Sequence, residues 1–186
     1  KLEAIRAIAS ISTGESLKIL VEAVNRTRDQ ELRTLIASEL GRMGAHDATP
    51  ILLELVNDRN FQVRQASVSS LGALKAIEAV DVLRRVLHEK EPQLQHAAIS
   101  ALEQIGTVDA LSELIQLWKN QDVNIREKLR NTLTNTPASV LLPVLVTEIC
   151  HPNAKRRQLA AEVITVLDST SAITIVREAL RHQSAD

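Results

Sequence analysis

Aromatic residues are almost absent from this chain. Of its 186 residues one is Phe, one is Trp and none is Tyr, although hydrophobic residues make up 45% of the sequence. The core must therefore consist of Leu, Ile, Val and Ala, which suit close-packed helices, whereas strands and sandwich cores usually include aromatic side chains. The five glycines and five prolines are too few to turn a many-stranded sheet. The composition predicts an all-α protein.

The chain also has a single cysteine and almost no net charge. Cys150 is the single cysteine, which excludes an intramolecular disulfide and is typical of a reducing compartment. The 22 basic and 23 acidic residues nearly cancel, so no overall charge attracts nucleic acid or an anionic membrane. No apolar run approaches the ~20 residues of a membrane span, and no signal peptide is visible. We expect a cytoplasmic protein and, because Lys1 lies inside an amphipathic pattern, a fragment of a longer chain.

A period of 31 residues runs through the sequence from residue 29 onward. It aligns a capping column, an arginine column four residues later and an apolar column seven residues after that. The members are Asp29, Asn60, Glu91, Asp122 and Asn153; Arg33, Arg64, Gln95, Arg126 and Arg157; and Leu40, Leu71, Leu102, Leu133 and Ile164. Since Asp and Asn cap helices well, each unit is predicted to begin with a helix, A, at the capping column. A truncated first unit fits with one extra residue and an apolar stripe at Leu2, Ile5, Ile8 and Ile11.

A second helix, B, is predicted after a short linker in every unit, because apolar residues recur at spacings of one, three and four. Its stripes include Ile51, Leu52, Leu55 and Val56, and later Ile175, Val176, Ala179 and Leu180. Pro50 and Pro143 share a column, which predicts a first-turn proline in both units. Thr132, Thr134 and Thr136 before Pro137 predict a frayed or shortened helix A in unit five. About twelve helices are expected, in one array without separate domains, with units at about 1–28, 29–59, 60–90, 91–121, 122–152 and 153–186.

The segment FQVRQASVSSLGAL, from Phe61 to Leu74, resembles the first helix of a HEAT repeat in the short form also called the phycobilin-lyase-like repeat. The segment ATPILLELVND, from Ala48 to Asp58, resembles the second helix. The resemblance covers essentially the whole chain. It implies a right-handed α-α superhelix, an α-solenoid of about six two-helix HEAT-like repeats, with B helices on a concave face where relatives usually hold a partner. It also implies a structural role at the inter-repeat junctions for Arg33, Arg64, Arg126 and Arg157, and a weaker junction at Gln95.

Two polar columns on helix B are predicted to face away from the core. One contains Glu22, Glu54, Arg85, Gln116, Thr147 and Glu178, and the other contains Asn25, Asn57, His88, Lys119, Cys150 and Arg181. They are either an ordinary solvated face or a binding groove. The candidate partner-binding residues are Glu54, Arg84, Arg85, His88, Gln116, Lys119, Arg177 and Arg181. Trp118 occupies an apolar column and is predicted to pack in the core.

No motif for catalysis is present in the sequence. It contains no Gly-rich phosphate loop, nucleophile elbow or His/Cys constellation. The five histidines give one His-Glu pair, His88-Glu89, whereas the iron-dependent hydroxylases of the family carry several. We therefore expect no catalytic, cofactor-binding or metal-binding residues. The predicted function is a non-catalytic protein-protein interaction or scaffold module, a regulatory part of a larger protein whose partner is another protein.

Two alternatives remain open from the sequence. The repeat type also fits a phycobilin lyase subunit or a related chromophore-handling protein. The basic segments at 126–130 and 155–157 could bind nucleic acid or phosphate. The lack of interleaved aromatic residues for base stacking argues against nucleic acid.

Overall fold

A computed structural model describes residues 1–119 and 122–166 of the chain, together with Ile173 and Arg177. The described residues form eleven α-helices and three short 3₁₀ helices and contain no strand, which confirms the predicted all-α class. The α-helices are α1 (Leu2–Ile11), α2 (Gly14–Arg26), α3 (Gln30–Arg42), α4 (Thr49–Leu55), α5 (Phe61–Ala73), α6 (Val80–Leu87), α7 (Pro92–Ile105), α8 (Val108–Gln116), α9 (Val123–Asn135), α10 (Ala138–Ile149) and α11 (Ala154–Ile164). The 3₁₀ helices are His46–Ala48, Ile77–Ala79 and Leu117–Lys119.

The predicted capping column begins the A helices. Side-chain caps are formed by Asp29, Asn60, Asp122 and Asn153. Asp29 Oδ1, for example, accepts from the backbone amides of Glu31 at 3.0 Å and Leu32 at 3.3 Å. At Glu91 the helix begins instead with Pro92 at its first position, as the sequence predicted. The 31-residue period is thus anchored by hydrogen bonds at its helix starts.

Each A helix of the first four units ends in a left-handed turn. The residue in that turn is Ser12, Gly44, Lys75 or Gly106, with φ of 51°, 67°, 51° and 66°. In unit five the same column holds Pro137, whose ring fixes φ at a negative value, here −54°. The chain enters α10 directly at Ala138, as it enters α8 at Val108, without the 3₁₀ turn that precedes α4 and α6.

This earlier start overturns one prediction about proline. Pro50 lies in the first turn of α4, as expected, but Pro143 lies inside α10. Because α10 starts earlier than its counterparts, the same column falls in the middle of the helix. The Pro143 carbonyl accepts a hydrogen bond from the Thr147 hydroxyl at 2.9 Å.

The predicted shortening of helix A in unit five is wrong. Helix α9 has 13 residues, as many as α3 and α5. The Thr134 hydroxyl donates to the Arg130 carbonyl and the Thr136 hydroxyl donates to the Thr132 carbonyl, at 2.8 and 2.9 Å. Thr132 and Thr134 are helical, and α9 ends at Asn135 because Thr136, the residue before Pro137, is extended.

The chain divides into two compact units, Lys1–Ile105 and Gly106–Asp186. In the first unit α3 packs along α5, and α5 packs along α7. Gly41 and Gly72 permit this, because an added Cβ would lie 2.8 Å from Ser70 Cα and 2.6 Å from Ala101 Cα. A backbone approach of this kind requires glycine. The single uninterrupted array over 1–186 stays a prediction.

The apolar stripe of α1 is narrower than predicted. Ile5 and Ala9 are buried, whereas Ile11 is 64% exposed. A spacing of three residues drifts by about 60° per step around an α-helix, so Leu2 and Ile11 lie on opposite sides. Only the middle of the predicted stripe reaches the core.

In the second unit α8 packs against α10 and α11, and α9 lies beside the 3₁₀ helix Leu117–Lys119. Ile125, Leu129 and Leu133 bury one side of α9. The predicted stripe of helix B in unit six, at Ile175, Val176, Ala179 and Leu180, lies outside the described residues.

Candidate functional site

Arg33 connects two successive repeats in the first unit. Its Nε and Nη2 donate to Asp58 Oδ2 at 3.0 and 2.5 Å, and its Nη1 donates to the Val24 carbonyl at 2.6 Å. Val24 is near the end of α2, and Asp58 follows α4. One guanidinium therefore fixes the ends of two B helices relative to α3.

Arg64 repeats the arrangement one unit later. Its Nη1 donates to the Asp58 carbonyl at 3.1 Å, and its Nη2 donates to Glu91 Oε1 and Oε2 at 2.6 and 2.5 Å. Burial alone would raise the pKa of Asp58. The Asn60 amide, the hydrogen bonds from Arg33 and the charges of Arg33 and Arg64 outweigh burial and hold that pKa below its ordinary value. Asp58 is therefore ionised and rigidly held.

The other members of the arginine column differ. Gln95 donates from its amide to the Leu87 carbonyl at 2.8 Å, so it keeps one carbonyl bond of the pattern. Arg157 Nη1 donates to the carbonyls of His151 and Pro152 at 3.0 and 2.7 Å. Arg126 is exposed, and no bond joins its side chain to another residue that the structure describes. Its predicted junction role stays a prediction.

A groove of about 610 Å³ opens beside the Arg33–Asp58 pair. Asn25, Glu54 and Asn57, from the two polar columns, line it, and all three are exposed. We call this surface the Asn25–Asn57 groove. Its other lining residues are Thr27, Arg28, Gln30, Ile51, Leu55, Arg59 and Asn60. The groove combines a rigid ion pair with side-chain amides contributed by consecutive repeats.

Three further predicted residues lie on α6 in the same unit. Arg84, Arg85 and His88 are all exposed, with His88 directly after the last residue of the helix. Arg84 forms an ion pair with Asp81 on the same helix. Together with Glu54 they give the first unit an exposed polar surface of mixed charge.

The remaining candidates belong to the second unit. Gln116, Lys119 and Arg177 are exposed. Lys119 Nζ lies 2.8 Å from Glu162 Oε1, so its charge is balanced within the unit. Arg181 lies outside the described residues.

Trp118 is not the core residue that the sequence predicted. It is partly exposed, whereas Val24, Val56 and Leu87 in its column are buried. Trp118 lies in the 3₁₀ helix Leu117–Lys119, whose tighter winding leaves Leu117 buried and brings the indole to the edge of a cleft.

One buried polar cluster was missed by sequence reasoning. Glu148 is fully buried, and Arg156 Nε donates to its Oε2 at 2.7 Å while Arg156 Nη2 donates to Oε1. Arg156 had been assigned to a basic segment that could bind phosphate, but its guanidinium is engaged by this carboxylate. The signal was present in the alignment of the repeats, since Glu148 and Arg156 stand in columns that are otherwise apolar.

Metal-binding groups and membrane-spanning helices are both absent from the described part of the chain. Within 1–119 and 122–166, no group of three or more His, Cys, Asp and Glu side chains is arranged to hold a metal ion. No helix of that part combines the length and apolarity that crossing a bilayer demands.

Comparisons with known proteins identify the repeat. The family described as HEAT repeats matches residues 1–72 and 53–134, which is most of the chain. No curated protein matches the sequence. Among solved structures, the complex of CpcE and CpcF of phycocyanin lyase from Nostoc sp. PCC7120 is 20% identical with a TM-score of 0.60, over 97% of this chain and 82% of that chain.

Two other solved structures share the fold at similarly low sequence identity. An engineered protein is 19% identical with a TM-score of 0.52, over 96% of this chain, which spans 57% of that protein's length. Human deoxyhypusine hydroxylase is 17% identical with a TM-score of 0.51, over 96% of this chain and 71% of that chain. These likenesses concern the fold, and the family match assigns the repeat type: the chain belongs to the HEAT-repeat family.

Proposed function

We propose that the chain is a non-catalytic protein-interaction module that binds an extended segment of a partner protein in the Asn25–Asn57 groove. The observation that carries this proposal is the groove of about 610 Å³, which is lined by equivalent polar residues of successive repeats. Such a module would act as a regulatory part of a larger cytoplasmic protein.

The chemistry of the groove suits a peptide backbone. A carboxamide both donates and accepts hydrogen bonds, as a peptide group does. Asn25 and Asn57 provide one such group per repeat, and Glu54 adds a negative charge to the lining of the groove. The Arg33–Asp58 pair holds the ends of α2 and α4 in place, which lowers the entropy lost when a partner binds.

Photo-crosslinking would test the proposal. A photoreactive residue is placed at Glu54 or Arg59, which line the groove, or at Gln62 or Ser69, which are exposed on α5. We expect partner proteins to crosslink from the first two positions and not from the second two. A captured protein is then purified, and its affinity is measured for the unmodified chain and for a variant carrying Asn25→Ala and Asn57→Ala.

The expected result is a loss of binding by about thirtyfold in the double variant, since two hydrogen bonds are lost at roughly 1 kcal/mol each. Arg26→Ala serves as the matched control, because Arg26 is exposed on α2 and does not line the groove. Crosslinks that are equally frequent from α5, or an affinity equal in both chains, would rule the groove out as the binding surface.

A further inference from the structure

A second cleft, of about 440 Å³, lies in the second unit and takes no part in the Asn25–Asn57 groove. It is lined by Trp118, Val123, Arg126, Glu127 and Arg130. We call it the Trp118 cleft. Trp118 is the single tryptophan of the chain, and Val123 is 63% exposed.

The cleft exists because one side of α9 is uncovered. The four residues Val123, Glu127, Arg130 and Thr134 form a stripe along the helix, and all are exposed. The equivalents of Arg130 in α3 and α5 are Ala37 and Val68, and both are fully buried. The equivalents of Thr134 in α3 and α5 are Gly41 and Gly72, through which neighbouring A helices approach closely, and its equivalent in α7 is Glu103.

The sequence of α9 therefore removes a packing surface and replaces it with charge. Arginine and threonine stand where small and apolar residues join the A helices of the first unit. A guanidinium at Arg130 cannot be buried there without a partner for its charge. The change keeps this side of α9 open to solvent.

Arg126 differs from the other arginines of its column. Arg33, Arg64 and Arg157 use their guanidinium groups on carbonyls or carboxylates of the chain. Arg126 and Arg130 lie one turn apart, and their side chains bond to none of the residues that the structure describes. They are available for an external anion.

We propose that the Trp118 cleft binds an acidic segment of a partner protein, with carboxylates on Arg126 and Arg130 and an apolar side chain against Trp118 and Val123. Guanidinium groups bind carboxylates in a bidentate geometry. Tryptophan and arginine are the residue types that most often dominate protein interfaces. The proposal rests on the proposed interaction function and deepens it by naming the chemistry of the bound segment.

A nucleic acid fits the cleft less well than an acidic peptide. A single indole can stack one base, whereas binding to single strands uses successive aromatic platforms. Glu127 lies between the arginines along the chain and repels a ligand with a charge on every residue. Carboxylates that are spaced along a peptide can reach both arginines and avoid Glu127.

Fluorescence of Trp118 gives a direct test, since no other tryptophan contributes to the signal. The chain is titrated with a short peptide of alternating Glu and Leu, with its Gln-Leu and Lys-Leu analogues, and with single-stranded DNA. We expect the Glu-Leu peptide to bind about tenfold more tightly than the Gln-Leu peptide. Raising the salt from about 0.05 M to about 0.5 M should weaken its binding.

A variant carrying Arg126→Gln and Arg130→Gln should lose this preference, while Arg28→Gln with Arg59→Gln in the Asn25–Asn57 groove should keep it. Equal affinity for the Glu-Leu and Gln-Leu peptides, tighter binding of DNA, or binding unaffected by the Arg126/Arg130 variant would overturn the proposal. Circular dichroism verifies that each variant remains helical. If the Trp118 cleft does not bind an acidic segment but the Asn25–Asn57 groove does bind a partner, crosslinking from Glu54 would persist. The two proposals can therefore be rejected independently.

Discussion

Arg156 holds Glu148 in the core of the second unit through both carboxylate oxygens. Glu148 is fully buried, and Arg156 Nη1 also lies 3.0 Å from His151 Nε2. The Ser112 hydroxyl provides a further hydrogen bond to Glu148. In the first unit the equivalent positions are occupied by buried apolar pairs, Leu55 with Val63 and Val86 with Leu94. One repeat junction thus replaces a hydrophobic contact with an ion pair.

Breaking this pair on one side should destabilise the chain strongly. Arg156→Ala leaves the Glu148 carboxylate buried without its counter-charge, and the expected loss is about 3–5 kcal/mol of the free energy of unfolding. Urea denaturation followed by circular dichroism measures it. Arg157→Ala, one residue away, removes only bonds to the carbonyls of His151 and Pro152 and should cost about 1 kcal/mol.

Replacing both partners should restore the apolar columns. The double variant Glu148→Leu, Arg156→Leu leaves no uncompensated charge, so its stability is expected to equal or exceed that of the natural chain by up to about 4 kcal/mol. The same urea experiment tests this. A double variant as unstable as Arg156→Ala alone would mean that this junction needs the ion pair for packing.

Acid should weaken the natural chain more than this double variant. Burial raises the pKa of Glu148, but the hydrogen bonds from Arg156 and Ser112 and the charges of Arg156 and His151 lower it below its ordinary 4.5. A carboxyl group whose pKa is lower in the folded state stabilises fully above the unfolded pKa and loses that contribution as the pH falls through the folded pKa. The free energy of unfolding should therefore fall below about pH 5.

The matched comparison isolates Glu148. Asp58, whose pKa is also lowered, contributes an acid-dependent loss in both proteins, whereas Glu148 contributes only in the natural chain. Urea titrations at several values between about pH 5 and about pH 3 should give a steeper decline for the natural chain. Parallel curves would assign the acid sensitivity to groups other than Glu148.

The sequence predicted those features that repeat and missed those that depart from the repeat. The caps at Asp29 and Asn60 follow from local chemistry, because a side chain bonds to amides two or three residues away. The position of Pro143 inside α10 depends on where that helix starts, because the chain enters α10 at Ala138 without the 3₁₀ turn that precedes α4. A shared column alone therefore could not place Pro143 in a first turn, since the start of helix B differs among the units.

The candidate surfaces were only partly predictable for a related reason. The polar columns indicated correctly that Glu54, Arg85 and His88 face solvent, since exposure follows from helical periodicity. Periodicity could not place Trp118, because the 3₁₀ turn breaks the α-helical register just before that residue. It also could not reveal the uncovered side of α9, which depends on how neighbouring helices pack.

The junction formed by Arg64 should depend on the planar guanidinium. Arg64→Lys keeps the charge but cannot bond at once to the Asp58 carbonyl and both oxygens of Glu91. We expect Arg64→Lys to lower the free energy of unfolding by about 1–2 kcal/mol. Arg64→Ala should lower it only slightly more, because the Glu91 carboxylate is partly solvated and needs its counter-charge less. Arg85→Lys on the exposed face of α6 is the control and should not change the free energy of unfolding measurably. An equal loss of stability in Arg64→Lys and Arg85→Lys would mean that the planar geometry of the Arg64 guanidinium does not matter.

The close approach of α5 and α7 should make Gly72 intolerant of any side chain. A Cβ at Gly72 would lie 2.6 Å from Ala101 Cα and 2.8 Å from Ala101 Cβ, so the two helices would have to separate. Gly72→Ala is expected to destabilise the chain by about 1–3 kcal/mol, although alanine is the better helix former. Gly14→Ala in α2 is the matched control, since nothing lies within 4 Å of its added Cβ, and it should be neutral or stabilising. Equal stabilities of the two variants, measured by thermal unfolding, would contradict the requirement for glycine at the contact between A helices.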